Sequence, residues 1–489
     1  TAEEKAEVDI DGVRSERPVE PLTNHFVGRV QKDFNEGKTI IGGIFTNTYR
    51  DLPEELADEM HKTAYSGGID FTQYFKGKDW MFNLNTAMSR VEGSAEAIEN
   101  TQKSSARYFQ RPDNDYRDLD PTRTSLTGTA GKMMIQKLNG HLNVMGLIMW
   151  KSPGFETNDI GYLREADQIN ALIWAGYNIW ELKSFYRRIN VNGDFYTFYN
   201  YGGDVTARGF EWNASSTLKN YWSVWTGGNI QTSTISPGML RGGSSMKVPG
   251  RMNGRIGFSS DYRKKFGFEV YANYNKGFEN YSNNSNIGID ISYKPTNFLS
   301  LSLGPGYNKS FNELQYVTDV DASGSKEYIF ASIDRQTISA SFRVNINISP
   351  DLTFQYWGQP FIASGKYYDH KVITSPRADN YADRFHVYAP DQISRENNDY
   401  LVDYDKNGIT DFSFENKDFN VQEFLSNLVI RWEYNPGSSV YLVWSQTRNG
   451  SNETGKMDYF NNMGDLFDGD ENKPHNVFLL KFSYRFGLK

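Results

Sequence analysis

Phe-Leu-Ser-Asn-Leu-Val-Ile-Arg-Trp-Glu-Tyr over residues 424–434, Asn-Pro-Gly-Ser-Ser over 435–439 and Val-Tyr-Leu-Val-Trp-Ser over 440–445 read together as one hairpin. Phe424, Leu428, Ile430, Trp432 and Tyr434 share one face of the first arm, interrupted by Ser426; Leu425, Asn427, Val429, Arg431 and Glu433 share the other. Alternation at period two is a strand signal, because successive Cβ atoms point to opposite sides of a sheet. Asn435-Pro436-Gly437 is the turn: proline presets φ at one corner, and glycine accepts positive φ at the next. In a soluble sandwich these would be a core face and a wet face. In a membrane barrel they would be a lipid face and a lumen face, with aromatics at the interface.

The rest of the chain decides between the two. Among 489 residues there are 43 glycines, 31 tyrosines, 32 phenylalanines and 10 tryptophans, and mean hydropathy is −0.64. No apolar run reaches the length of a transmembrane helix. Low hydropathy is compatible with a membrane barrel, whose strands give only alternate residues to lipid. Net charge of −8 and the lack of a basic stripe argue against a nucleic-acid partner. The absence of cysteine fits an envelope barrel or a cytosolic protein equally.

Residues 1–22 are acidic and polar and read as a loop entering the fold; 23–489 read as a single β-barrel domain. Strand-like segments come in pairs: 23–34 with 38–49, 64–75 with 80–91, and 125–138 with 141–151, the last joined by Asn139-Gly140. Ile338, Ala340, Phe342, Val344, Ile346 and Ile348 alternate with Ser339, Ser341, Arg343, Asn345 and Asn347. One set of connections is short. The other is long and includes 92–124, 311–327, 364–420 and 449–475. Tight turns at one end and long loops at the other are the outer-membrane pattern. About nineteen strand candidates are visible. Bacterial barrels take an even number, so an upstream strand is expected. The final segment alternates Phe478, Leu480, Phe482, Tyr484, Phe486 and Leu488 with Lys481, Ser483, Arg485 and Lys489, like the terminal strand of such barrels.

The expected fold is therefore all-β: a transmembrane, antiparallel, up-and-down outer-membrane β-barrel of 18–22 strands, with short periplasmic turns and long extracellular loops. Gram-negative outer-membrane lipid and lipopolysaccharide are its expected surroundings, with further envelope proteins as partners.

Four stretches carry a family resemblance: Pro21–Phe34, Ile41–Asn47, Asp418–Trp444 and Phe478–Gly487. They resemble an uncharacterised bacterial family of outer-membrane barrels, usually found C-terminal to a carbohydrate-binding-module-9-like domain. The resemblance implies a large barrel and continuation upstream of Thr1. It brings no catalytic residues, and sugar binding, which belongs to the upstream domain, is not carried over.

One local constellation stands out. Asp403, Asp405, Asn407, Ile409 and Asp411, with Gly408 between them, follow calcium-loop spacing: oxygen side chains at positions 1, 3, 5 and 9, glycine at 6 and a carbonyl at 7. Position 12 is Phe414, and Glu415 comes one residue late. Ca2+ is the expected ion; a polar surface loop is the alternative reading. A second acidic group, Asp465, Asp468, Asp470 and Glu471, reads as a solvated loop or a divalent site. Arg343, Arg431, Glu433, Glu269 and Asp290 fall on lumen faces. They set selectivity in one reading and pair with one another in the other. The six histidines show no zinc spacing, and Gly242-Gly243-Ser244-Ser245-Met246 is a polar loop without the second glycine of a nucleophile elbow. Three functions follow in order: a channel or transport-related barrel with a polar lumen, a loop-plugged barrel serving as membrane anchor or envelope-assembly subunit, and a surface hydrolase. No catalytic motif supports the third.

Overall fold

The computed structural model describes all residues except 11, 323, 469–472 and 487–489. In chain order the strands are β1 Glu4–Ile10, β2 Val13–Glu20, β3 Leu22–Phe34, β4 Thr39–Asp51, β5 Thr63–Phe75, β6 Trp80–Glu92, β7 Ser125–Lys137, β8 Leu142–Lys151 and β9 Gln168–Ile179. Next come β10 Tyr186–Tyr199, β11 Val205–Leu218, β12 Ser223–Gln231, β13 Thr234–Ser236, β14 Met246–Val248, β15 Arg251–Ser259, β16 Phe266–Gly277, β17 Ser282–Tyr293 and β18 Leu299–Ala322. The last are β19 Ser325–Asn347, β20 Leu352–Ile373, β21 Phe385–Val387, β22 Ile393–Glu396, β23 Asp399–Val402, β24 Phe412–Glu415, β25 Phe419–Asn435, β26 Ser438–Asn452 and β27 His475–Ser483. Helices α1 Ala95–Lys103 and α2 Tyr459–Phe467 lie in two of the long connections.

One antiparallel sheet makes the barrel wall, each strand paired to the next: ten strands from β3 to β12, six from β15 to β20 and three from β25 to β27. Its outer face is apolar and open. Ile69, Ile173, Phe195, Phe210, Ile230, Ile256, Ile287 and Leu303 are all exposed there, Ile173 by 71%. Among the described residues no second sheet covers these rows, so they are the lipid face of an outer-membrane barrel rather than a sandwich core. Aromatics gather at the short-turn end, where Phe75 stacks on Trp80, and His141 stacks on Tyr177 and Trp180. Tyr434 there stacks on Phe482. Such a girdle suits rings that are apolar in body and polar at the edge.

The inner face is polar and internally bonded. An amide ladder crosses four strands: Asn178 donates to Asn143 at 3.1 Å, Asn190 to Asn178 at 2.7 Å, Asn192 to Asn190 at 2.8 Å and Asn213 to Asn192 at 3.3 Å. Arg255 then bridges Asn213 and Glu211, the latter at 2.7 Å. Arg431 and Glu433 pair with each other on one strand, and Arg343 lies over the Trp357 ring at 5.8 Å. The hairpin of the opening is β25–β26, turning at Gly437 with φ +80°.

Leaving aside the short β21, which pairs with the top of β20, the described strands of the wall number nineteen, an odd count, so β3 and β27 run the same way, from the long-loop end to the short-turn end. Both faces of each are mostly exposed. No strand register joins them among the described residues.

Four sequence expectations differ from the structure. Residues 4–20 are not loop but a hairpin, β1–β2. The stretch 311–327 is not a connection: β18 and β19 continue through it, rising past their neighbours with register shifts at Asn312/Gln315 and Tyr316/Thr318. β20 rises with them, so the loop expected over 364–420 begins only at 374. Its remainder carries a separate three-stranded sheet, β22–β23–β24. Similarly, β26 extends to Asn452 into the expected loop 449–475. Asp470, Glu471, Leu488 and Lys489 lie outside the described residues.

Candidate functional site: a lid built from the long loops

The long connections do not splay outward; they pack against one another over the barrel. Counted along the wall from β3, segment 93–124 follows the fourth strand, 152–167 the sixth, 200–204 the eighth, 232–250 the tenth and 374–418 the sixteenth. Segment 374–418 stands far round the rim from the other four, so a bond between it and any of them spans the mouth.

Arg377 makes the widest span. Its Nη2 donates to Asp204 Oδ2 at 2.6 Å and to Ser245 Oγ at 2.7 Å, and lies 3.2 Å from Asp113 Oδ2. Ser245 closes the set by donating to Asp113 through both its hydroxyl and its backbone N–H. One guanidinium therefore gathers segments 93–124, 200–204 and 232–250 onto 374–418. Its planar fork suits this, because several donors in fixed directions can serve several acceptors at once. Burial opposes the charge on Arg377, but Asp204 and Asp113 outweigh it and raise its pKa.

Beside it, segments 93–124 and 152–167 are tied by buried groups. Arg107, fully buried, donates to Glu156 Oε2 at 2.7 Å and to the Phe155 carbonyl at 3.0 Å. Tyr116 donates to Asp167, whose other oxygen accepts the Tyr201 N–H at 2.9 Å. Burial, then the Asp167 carboxylate, pushes the Tyr116 phenol above its usual range. A Cβ on Gly128 of the inner wall would stand 2.1 Å from the Phe155 nitrogen, so backbone lies directly on backbone there. Gly128→Ala is expected to lift segment 152–167 off the wall. Limited proteolysis in detergent should then cut that segment at least tenfold faster, with the barrel's heat-modifiable gel mobility unchanged. An unchanged digestion pattern would show the segment is not seated there.

His61, from the connection between β4 and β5, joins the same two segments again. Its Nδ1 lies 2.9 Å from Asp159 Oδ2 and its Nε2 2.7 Å from Thr101 Oγ1. This has the connectivity of a hydroxyl–imidazole–carboxylate triad. However, the Thr101 hydroxyl donates to the Ala97 carbonyl at 3.0 Å, so it accepts from the imidazole rather than giving up its proton. The ring thus tethers α1 to segment 152–167. Burial works against the charge on Asp159, but His61 and Arg50 outweigh it and hold its carboxyl below the usual range.

The expected calcium residues form the hairpin loop between β23 and β24. Asp403, Asp405 and Asp411 come together, with one carboxylate oxygen of each within 4.8 Å of the others. Left-handed Lys406 and Gly408, at φ +62° and +86°, let the loop curl. The Asn407 N–H donates to Asp403 at 3.0 Å and to Asp405 at 3.1 Å, and the Gly408 N–H donates to Asp403 at 2.8 Å. The Asn407 side-chain oxygen instead accepts the Ile409 N–H at 2.8 Å, and the Ile409 side chain is exposed.

Sequence reasoning missed Arg377, Asp113 and Asp204, and it passed Ser245 over as polar loop. Only the length of the connections hinted that they had work of their own.

No curated protein matches the sequence. Among solved structures, the chain is similar to the siderophore receptor PirA from Acinetobacter baumannii, at 8% identity and TM-score 0.37, over 94% of this chain and 78% of that one. It is also similar to the outer-membrane channel DcaP of Acinetobacter baumannii, at 11% identity and TM-score 0.29, over 84% and 99%. A sequence match extends over residues 1–486 to DUF5916, described as a domain of unknown function, and the chain belongs to that family.

Proposed function

We propose that this outer-membrane barrel is a passage for polar solutes, closed at its outer mouth by its own loops. The observation carrying the reading is the Arg377 junction, which fastens segments from opposite sides of the mouth through one side chain. The polar, amide-lined inner face supports a hydrated route beneath it. A barrel this wide cannot fill its interior with strand side chains alone, so its loops decide whether it conducts. Planar-bilayer recording of the purified protein tests this: rare openings in the wild type, made frequent by Arg377→Ala, are expected. Insertion of both proteins without current would sink the passage reading and leave the plugged membrane anchor.

We further infer that the loop 403–411 takes Ca2+. Three carboxylates on one curl oppose one another unless a cation sits among them. The nearby Lys406 ammonium is turned to Asp391, 2.8 Å away, rather than into the group. An affinity in the range of extracellular modules, about 10⁻⁴–10⁻³ M, is expected. Asp405→Ala should weaken it at least tenfold by isothermal titration; identical traces would remove the site.

A further inference from the structure

Beneath the lid, the inner wall of β3–β9 holds a recess of about 720 Å³ that the amide ladder does not reach. Its shape comes from the registers. One row across the wall reads Gly68, Ala87, Ala130, side chains too short to fill the space, and ends in Lys151. The next row toward the short turns reads Asp70, Asn85, Lys132, Met149, Asn170. Phe155, Leu163 and Ala166 of segment 152–167 pack on Ala87 and Ala130 and roof the recess from above.

The lining is chemically unfinished. Arg29 reaches Asp70 at 3.3 Å, and Lys151 donates to the Glu165 carbonyl at 3.1 Å, but the Lys132 ammonium has no partner among the described residues. Arg29, Lys132 and Lys151 face the single carboxylate Asp70, so the lining is cationic. The side-chain oxygens of Asn83, Asn85 and Asn170 are buried without a donor. A buried acceptor left unmet costs about 1–3 kcal/mol. Three such oxygens beside an unpaired ammonium mark a place where a ligand supplies what the wall lacks.

The two deficits specify the ligand. Lys132 and its cationic neighbours need a negative group. The asparagine oxygens need donors, while the Asn83 amide nitrogen already donates to Thr72 Oγ1 at 3.0 Å. Hydroxyls both donate and accept. A simple carboxylate would leave the amide oxygens unmet, and a neutral sugar would leave Lys132 without a counter-charge. We propose that this recess binds a small anionic polyol, a sugar acid, on its way through the barrel. The proposal rests on the passage reading for the words "on its way" and on the wall alone for the binding.

The test is isothermal titration of the whole purified protein in detergent at low salt, with glucuronate, glucose and acetate as probes. Glucuronate should bind at least tenfold more tightly than either of the others. Lys132→Met should remove at least tenfold of that affinity, and Asn85→Leu a smaller part, with heat-modifiable mobility kept by both. Equal affinity for glucuronate and acetate would overturn the proposal in favour of unspecific attraction. Equal affinity for glucuronate and glucose would overturn the charged half, and an unaltered Lys132→Met would overturn the site. The same ligands in bilayers separate the two readings. Binding to a barrel that carries no current upholds the recess and sinks the passage; current without binding does the reverse.

Discussion

Arg377→Ala should raise the open probability of the barrel in planar bilayers about tenfold or more. The wild-type side chain shares its charge between Asp204 and Asp113 and a hydrogen bond with Ser245. Charge-assisted bonds contribute about 1.5–3 kcal/mol each when shielded from water. Arg377 is 42% exposed by its side chain, so screening reduces that figure. A net loss of only about 1.4 kcal/mol is already a tenfold shift between closed and open. Truncation also leaves two carboxylates to repel each other across the gap that the guanidinium bridged. Arg377→Lys should fall between the two proteins, because a point ammonium cannot satisfy both carboxylates as the fork does. Openings as rare in Arg377→Ala as in the wild type would show that the junction does not hold the mouth.

Ile173→Arg should destabilise the folded barrel by about 2–4 kcal/mol, the depth-dependent cost of a cation on the lipid face near the midplane. Ile173 lies midway along β9, opposite Gly146 on one side and Phe195 on the other, and is exposed outward. Its neighbour Leu172 points to the lumen, so Leu172→Asn should cost less. Urea-dependent folding into lipid vesicles, followed by tryptophan fluorescence, measures both. Equal costs at the two positions would contradict the assignment of faces on which the whole membrane reading stands.

The wall was legible in the sequence because its information is local. Alternation along each strand states which side is wet, and Asn435-Pro436-Gly437 states where the chain turns back. The turn falls between β25 and β26 as expected. The grouping of Asp403, Asp405 and Asp411 was legible for the same reason, since they lie within nine positions. Where β18 and β19 rise past their neighbours, the pattern fails. No lipid demands an apolar side there, and Leu314, Ile329 and Phe330 are buried by loops on either face. The hairpin 4–20 alternates Glu, Lys and Arg with few apolar partners, and so reads as loop. The lid was invisible because its bonds join positions far apart in the chain. Ser245 lies 132 residues from both Asp113 and Arg377, and Arg377 lies 173 from Asp204. No spacing rule reaches so far; only the curvature of the sheet brings these side chains together.

The odd count of staves has a mechanical consequence. If β3 and β27 were drawn directly together, they would form the only parallel joint in a cask whose other joints are all antiparallel. Its slanted hydrogen bonds hold slightly less per residue. Under lateral tension a hoop closed in that way would part first along that line.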